Sequence, residues 1–344
     1  MLLNKALIIM GKERILYIDR LRGINIMLVV MGHVITRNVI DGESSGILVW
    51  GSTFRMPLFM FLCGYIASKV IKPKIFKKYG SFLLKKSRTL LVPFFAWPLL
   101  VDNFFFSGAV TFDVRDKFIE LISGGGLWFL YFLFFITLLY SAWLFLSYKY
   151  NTANKAFIDL FFAGLLLGFL GIIWATGQIP FMTQFVLFFV FYFLGVFVAK
   201  YKALSTFMMH RMVFSVALLA FFVLVGYYEY GFSSMENSGI KMICAISGIS
   251  VFYFLIRHVS FPEKVDQFIR SWGVNSLAIY VTHFYVVPVF GTPFIPADFN
   301  QIPLFIITSL LTIIAVQISL YIFKILYLSS VFNFLLYGNN PKYY

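Results

Sequence analysis

The sequence predicts an all-α, polytopic integral membrane protein with about ten transmembrane helices. Of its 344 residues, 61% are hydrophobic and only 12% are charged, and the mean hydropathy is +0.88. A soluble fold of this size needs far more charge to cover its surface. Apolar runs of roughly 18 to 25 residues recur along the chain, which is the length that a helix needs to cross the hydrocarbon core of a bilayer.

The apolar runs indicate helices and not the strands of a membrane barrel. Barrel strands are segments of about ten residues with alternating apolarity, whereas the runs at 127–147 and 181–199 show no polar alternation. The ten predicted spans lie near 15–36, 47–71, 89–108, 127–147, 156–175, 180–199, 211–230, 240–257, 273–290 and 303–327. Their connections are too short for a separate soluble domain. We therefore expect residues 1–344 to form a single membrane-embedded domain.

The distribution of Lys and Arg predicts the orientation of the chain. Of 28 such residues, 20 lie on the side of the N-terminus, and four lie on the opposite face: Arg37, Arg115, Lys117 and Lys241. By the positive-inside rule, we expect a multi-pass protein of the cell membrane with both termini in the cytoplasm. The formal charge of +14 then reflects topology and contact with membrane lipid, and nucleic acid is not an expected partner.

The first span carries ionisable residues where a simple membrane anchor would have leucine. At 100° per residue, Arg22 and His33 differ by about 20° around the helix, and Asp19 lies about 40° to the other side of His33. The three residues therefore share one stripe, with roughly 16 Å between Arg22 and His33 along the axis. Two interpretations remain open: a polar channel, or juxtamembrane charges with a histidine that meets water at the helix end.

Two further spans contain polar residues of the same kind. Arg55 lies in the second span just before Pro57, and it either faces a cavity or extends its guanidinium to the membrane interface. In the ninth span, Ser276 and His283 lie about 20° apart on one face, with Tyr280 between them. A polar contact between helices would explain these residues equally well.

The connection at 72–88 concentrates positive charge, ending with Lys85 and Arg88. Such a run is typical of a cytoplasmic loop or of attraction to anionic lipid. A group of cations at the mouth of a cavity could also hold a phosphorylated cofactor. Cys63 and Cys244 lie inside apolar runs without neighbouring Cys or His ligands, so we expect neither a disulfide framework nor a metal site.

Five motifs follow one another along almost the whole chain. They are D-x-x-R-G with Arg22-x10-His33, F-R-M-P-L-F-M-F-L-C-G-Y, Lys85-x-x-Arg88 followed by L-L-V-P, L-W-F-L from position 127, and N-S-L-A-I-Y-V-T-H from position 275. No single motif is specific, but the ordered set resembles the membrane acyltransferase 3 family. It is most similar to the fucose 4-O-acetylase-like branch, which acetylates surface polysaccharides.

This resemblance implies an O-acetyltransferase with ten or so helices, cytoplasmic acetyl-CoA as the donor cosubstrate, and a carbohydrate hydroxyl as the acceptor. The family's R-x10-H falls on Arg22 and His33, and its R-x-x-R falls on Lys85 and Arg88. The first basic position of the second motif departs from the family, because Lys85 keeps the charge but loses the bidentate geometry of arginine.

Acetyl transfer to a hydroxyl needs a base, oxyanion stabilisation and alignment of two substrates. His33 is the predicted base, since the ordinary pKa of histidine, about 6.5, suits neutral pH. Arg22, with Lys85 and Arg88, would bind the CoA phosphates or orient the pantetheine arm. We expect Asp19 to pair with Arg22 or Arg20. Supporting places are assigned to the following residues: Arg55, Tyr280 and His283.

Two other classes of protein stay open at this point. A transporter or flippase of lipid-linked sugars would also line a path with charged stripes and bent helices, although the sequence shows no internal repeat. A polysaccharide polymerase would be polytopic too, but it would typically carry a large extracytoplasmic loop. In each case membrane lipid is an expected contact, and proteins of polysaccharide assembly are a compatible class of partner.

Overall fold

The computed structural model describes residues 15–71, 79–102, 114–122, 125–149, 155–176, 182–231, 234–287, 293–296 and 300–339. Within these ranges the chain is 88% helical and contains no strand. An isolated parallel bridge joins Val39 to Ile295. The predicted all-α class is therefore confirmed.

The described residues form fourteen α-helices. They are α1 Leu16–Asn38, α2 Gly46–Val70, α3 Tyr79–Ala96, α4 Val114–Ile122, α5 Trp128–Lys149, α6 Lys155–Ala175, α7 Met182–Lys200, α8 Lys202–Met208, α9 Arg211–Val225, α10 Met235–His258, α11 Glu263–Val274, α12 Ser276–Val286, α13 Gln301–Tyr327 and α14 Ser330–Tyr337. A 3-10 turn at Gly42–Ser44 follows α1, and a π-helical segment at Trp97–Asp102 follows α3.

Several of these helices are long and apolar enough to cross a membrane. Five meet both conditions, namely α2, α5, α6, α10 and α13, and a sixth is obtained if α7 and α8, which bend by 107° at Tyr201, count as one span. Helices α9 and α12 are apolar but shorter. The chain is thus a multi-pass membrane protein, and the count of about ten spans stays a prediction.

The ninth predicted span, 273–290, differs from the observed helices. The chain is interrupted at Asn275, which separates α11 from α12. Helix α11 is amphipathic: its buried residues Asp266, Ile269, Trp272 and Gly273 recur at helical spacing on one face, which packs on α1. The start of α12 is therefore fixed by a helix that lies outside the apolar run.

Close contacts around α1 and α2 hold the bundle together. Helix α1 packs against α2, α10, α11, α12 and α13, which places it at the centre of the fold. Helices α2 and α7 approach closely where Gly64 faces the Tyr192 carbonyl and Gly195 faces the Phe61 carbonyl. A Cβ at either glycine would collide with backbone of the other helix, so only glycine permits this approach.

Candidate active site

Helices α1 and α12 run side by side and place polar side chains at two depths. We call the end of the bundle where α1 begins the proximal end, and the end where α1 joins α2 the distal end. Arg22 of α1 meets Ser276 of α12 near the proximal end, and His33 of α1 meets His283 of α12 near the distal end. Two stripes that helical phase predicts separately thus face each other.

The proximal group is centred on Arg22. Its Nη2 donates a 2.8 Å hydrogen bond to Ser276 Oγ, and its Nη1 lies 3.9 Å from Asp19 Oδ1. Arg20 instead pairs with Asp266 of α11, so the expected partner of Asp19 is Arg22. With Ser276 and Asp19 on two sides, the Arg22 guanidinium is held at a fixed position.

The distal group is a pair of histidines. The ring centroids of His33 and His283 lie 5.3 Å apart, and Tyr280 lies 5.8 Å from His283. His283 is buried, and its Nδ1 is 2.9 Å from the Ile279 carbonyl. Because a carbonyl only accepts, Nδ1 carries the proton in the neutral ring, which leaves the Nε2 lone pair free. Nε2 has no hydrogen-bond partner among the described residues, so it can accept a proton or a hydrogen bond from a substrate.

Arg55 lies against the backbone of α1 next to the histidines. A Cβ at Gly32 would collide with the Arg55 guanidinium, so glycine at this position lets the cation lie directly on α1, one residue before His33. Asn25 Nδ2 donates a 2.8 Å hydrogen bond to the Arg55 carbonyl and fixes α2 against α1. Arg55 is only 9% exposed, so its charge is enclosed by protein and does not extend to the interface.

A cavity of about 230 Å³ lies beside the proximal group and reaches Tyr280. Arg22 and Lys86 line its proximal part, and Tyr280, one helical turn before His283, lines its inner part. Apolar residues of α2, α3 and α5 contribute to the wall, among them Phe59, Leu90 and Phe129. A mostly apolar cavity with the two cations Arg22 and Lys86 in its wall suits a long ligand that has an anionic head and a neutral arm.

The two basic residues predicted on α3 lie outside this cavity. Lys85 is exposed, and Arg88 Nε donates a 3.2 Å hydrogen bond to the Gly338 carbonyl at the end of α14. Lys86, which lies between them in the sequence but on a different face of α3, lines the cavity together with Thr89. Sequence reasoning did not select Lys86, although its spacing of three from Thr89 and four from Leu90 marks one face of α3.

The predicted residues therefore divide into three sets by position. The set near the distal end comprises His33, Arg55 and His283. The set around the cavity comprises Arg22, Tyr280 and, through its pair with Arg22, Asp19. The set on the outer faces of α3 comprises Lys85 and Arg88.

Fold and site define a class of protein: a multi-pass membrane protein with ionisable and polar side chains packed between helices α1, α2 and α12. The model of the acyltransferase 3 family, described as an acyltransferase domain, matches residues 15–324. The chain belongs to this family.

One curated relative is also similar to this chain. It is the nodulation protein NolL of Sinorhizobium fredii, which is 33% identical over 150 residues. The match covers 40% of this chain and 39% of the length of that relative. No solved structure matches the chain.

Proposed function

We propose that this acyltransferase moves an acetyl group from cytoplasmic acetyl-CoA to a hydroxyl of a cell-surface or lipid-linked carbohydrate. The observation that carries the proposal is the cavity that leads from Arg22 and Lys86 to Tyr280. Its cationic mouth suits the CoA phosphates, and its apolar interior suits the pantetheine arm. The proximal end would then face the cytoplasm, where acetyl-CoA is available.

The chemistry assigned to the distal group is acyl transfer. The acceptor O–H bond and the thioester C–S bond break, and the ester C–O bond and the CoA S–H bond form. His33 takes the hydroxyl proton as general base. His283, whose Nε2 lone pair is free among the described residues, accepts a hydrogen bond from a neighbouring hydroxyl of the acceptor sugar and helps to align it.

The cations along the cavity have binding roles in this proposal. Arg22, oriented by Ser276 and Asp19, and Lys86 hold the phosphates or the arm of the donor. Lys85, exposed on the adjacent face of α3, adds positive charge at the entrance. Arg88 fixes the end of α14 beside α3 through its bond to Gly338, which shapes the entrance.

Acetyl-CoA-dependent labelling tests the proposal. Inverted membrane vesicles from cells that produce the protein are incubated with acetyl-radiolabelled acetyl-CoA, and polysaccharide and lipid-linked sugars are extracted. We expect ester-linked label in carbohydrate that hydroxylamine releases and that vesicles without the protein lack. Absence of label, together with altered movement or polymerisation of lipid-linked sugar, would instead assign the chain to the transporter or polymerase class.

A further inference from the structure

The distal end carries cations that the proposed transfer does not use. Beside Arg55, Lys241 of α10 lies within electrostatic range of its guanidinium. Lys241 Nζ is 5.8 Å from the centroid of the Tyr228 ring, and Tyr228 and Tyr230 lie within electrostatic range of Arg55. Helices α2, α10 and the segment after α9 thus bring two cations and two tyrosines to one place.

No carboxylate balances these charges within the described part of the chain. Neither Arg55 nor Lys241 makes an ion pair there. A buried cation without a counter-ion is costly in a membrane protein, and a second cation nearby adds repulsion. A protein retains such an unfavourable pair of cations where the pair binds an anion.

The position of Arg55 and Lys241 indicates which of the two substrates would carry the anion. The donor phosphates would enter at the opposite end, next to Arg22 and Lys86. The guanidinium of Arg55 lies on Gly32, directly beside His33, where the acceptor hydroxyl must lie during transfer. A group that binds Arg55 and Lys241 would therefore belong to the acceptor.

We propose that Arg55 and Lys241 form a binding site for an anionic group of the acceptor, either the phosphate of a lipid-linked sugar or the carboxylate of an acidic sugar. The inference rests on the proposed function for the identity of the ligand, but the anion site itself is independent of catalysis. Tyr228 and Tyr230 donate hydrogen bonds to the same anion. The pair thereby holds the acceptor with its hydroxyl at His33.

Binding of simple anions tests the site without any turnover. The full-length protein is purified in non-ionic detergent, and its thermal unfolding is followed at constant ionic strength with inorganic pyrophosphate, glucuronate or neutral glucose. We expect one of the two anions to raise the Tm of the wild-type protein in a saturable manner, and glucose to leave it unchanged. Pyrophosphate identifies a phosphate source, and glucuronate identifies an acidic sugar.

Variants locate the site in the structure. Lys241 is only partly buried, so Lys241→Gln should fold and should weaken the anion about tenfold or more, because one charged hydrogen bond is lost. Arg55→Gln should do the same, and Arg55→Lys should retain part of the affinity. Lys86→Gln is the control for binding at the proximal end, and Lys202→Gln, at an exposed site, is the control for surface charge.

The outcomes separate the two proposals. An anion-dependent rise in Tm that persists in the Lys86 and Lys202 variants and is lost in the Lys241 variant supports the site. No rise with either anion, or a rise that survives in both the Arg55 and Lys241 variants, overturns it. If the rise is found but the vesicles transfer no acetyl group, the anion site stands and the proposed acetyl transfer fails.

Discussion

At the scale of single residues, the packing of α1 against α12 brings two histidines together. His33 and His283 come from segments 250 positions apart, counted from their residue numbers, yet their rings lie 5.3 Å apart. The Nδ1 of His283 is occupied by the Ile279 carbonyl, so its free nitrogen has a fixed direction. In this arrangement His33 can accept a proton, and the adjacent His283 can accept a hydrogen bond through its free nitrogen.

A first prediction concerns Lys86, the cation near the cavity that the sequence analysis did not select. Lys86→Gln should raise the apparent KM for acetyl-CoA about tenfold and change turnover at saturation little, since a contact made equally in ground and transition states is removed. Initial rates in vesicles at varied acetyl-CoA give the two constants. Lys85→Gln, on the exposed face of the same helix, is the matched control and should have a smaller effect. An equal or larger effect of the Lys85 variant would contradict the assignment of the cavity.

Some of the site follows from the sequence, and some does not. The phase of one helix predicts that Arg22 and His33 share a stripe, and the phase of another predicts the same of Ser276 and His283. Lys86 and Lys241 could not be selected in this way, because their roles depend on how α3 and α10 are rotated against their neighbours. That rotation is decided by packing between helices, which a single sequence does not display.

At the scale of secondary structure, the docking of α11 on α1 supports the proximal group. Arg20 Nε and Nη2 donate to the two carboxylate oxygens of Asp266, and Arg270 pairs with the same residue. The Arg20 guanidinium holds the pKa of the Asp266 carboxyl below its usual range. Because α12 follows directly after Asn275, this docking also sets the position of Ser276 beside Arg22.

A second prediction follows from the sign of this pKa shift. A carboxyl whose pKa is lowered in the folded state stabilises it above its unfolded pKa, about 3.9, and this contribution is lost as the pH falls through the folded pKa. Asp266→Asn should therefore lower the Tm at pH about 7, by roughly 2–4 °C, and the deficit should shrink as the pH falls below about 4.

Thermal unfolding of the purified protein at several pH values measures both effects. Glu263→Gln, at an exposed position of the same helix, is the matched control and should cost little at any pH. A deficit of the Asp266 variant that stays constant with pH would show that the carboxylate charge does not secure α11.

The helices themselves were predicted unevenly, for a physical reason. Long uniformly apolar runs such as those of α5 and α13 are read directly from hydropathy. Helix α11 and the break at Asn275 were not expected, because α11 is amphipathic and lies in a stretch that reads as a connection. The bend between α7 and α8 was also not expected, since hydropathy reports the length of an apolar segment and not its direction.

At the scale of the whole molecule, a third prediction concerns orientation. In a background of Cys63→Ser and Cys244→Ser, single cysteines are placed at two exposed positions, Lys264 at the proximal end and Glu43 at the distal end. An impermeant maleimide should label the cysteine at 43 in intact cells and the cysteine at 264 only after the membrane is opened, because most Lys and Arg lie at the proximal side. The reverse pattern would place the proximal end, with Arg22 and Lys86, outside the cell and would contradict the expected orientation.

The central claim is that His33 is the general base of acetyl transfer and that the cavity binds the acetyl-CoA donor. The His33→Ala variant tests this claim most directly. Acetyl transfer to carbohydrate is measured in inverted vesicles and normalised to the amount of protein in the membrane. His258→Ala, at an exposed histidine near the proximal end of α10, is the matched control. We expect His33→Ala to insert normally and to lose transfer by about 10² or more, while His258→Ala stays near wild type. Retention of most of the transfer by His33→Ala, at normal protein level, would contradict the assignment of the base and with it the mechanism.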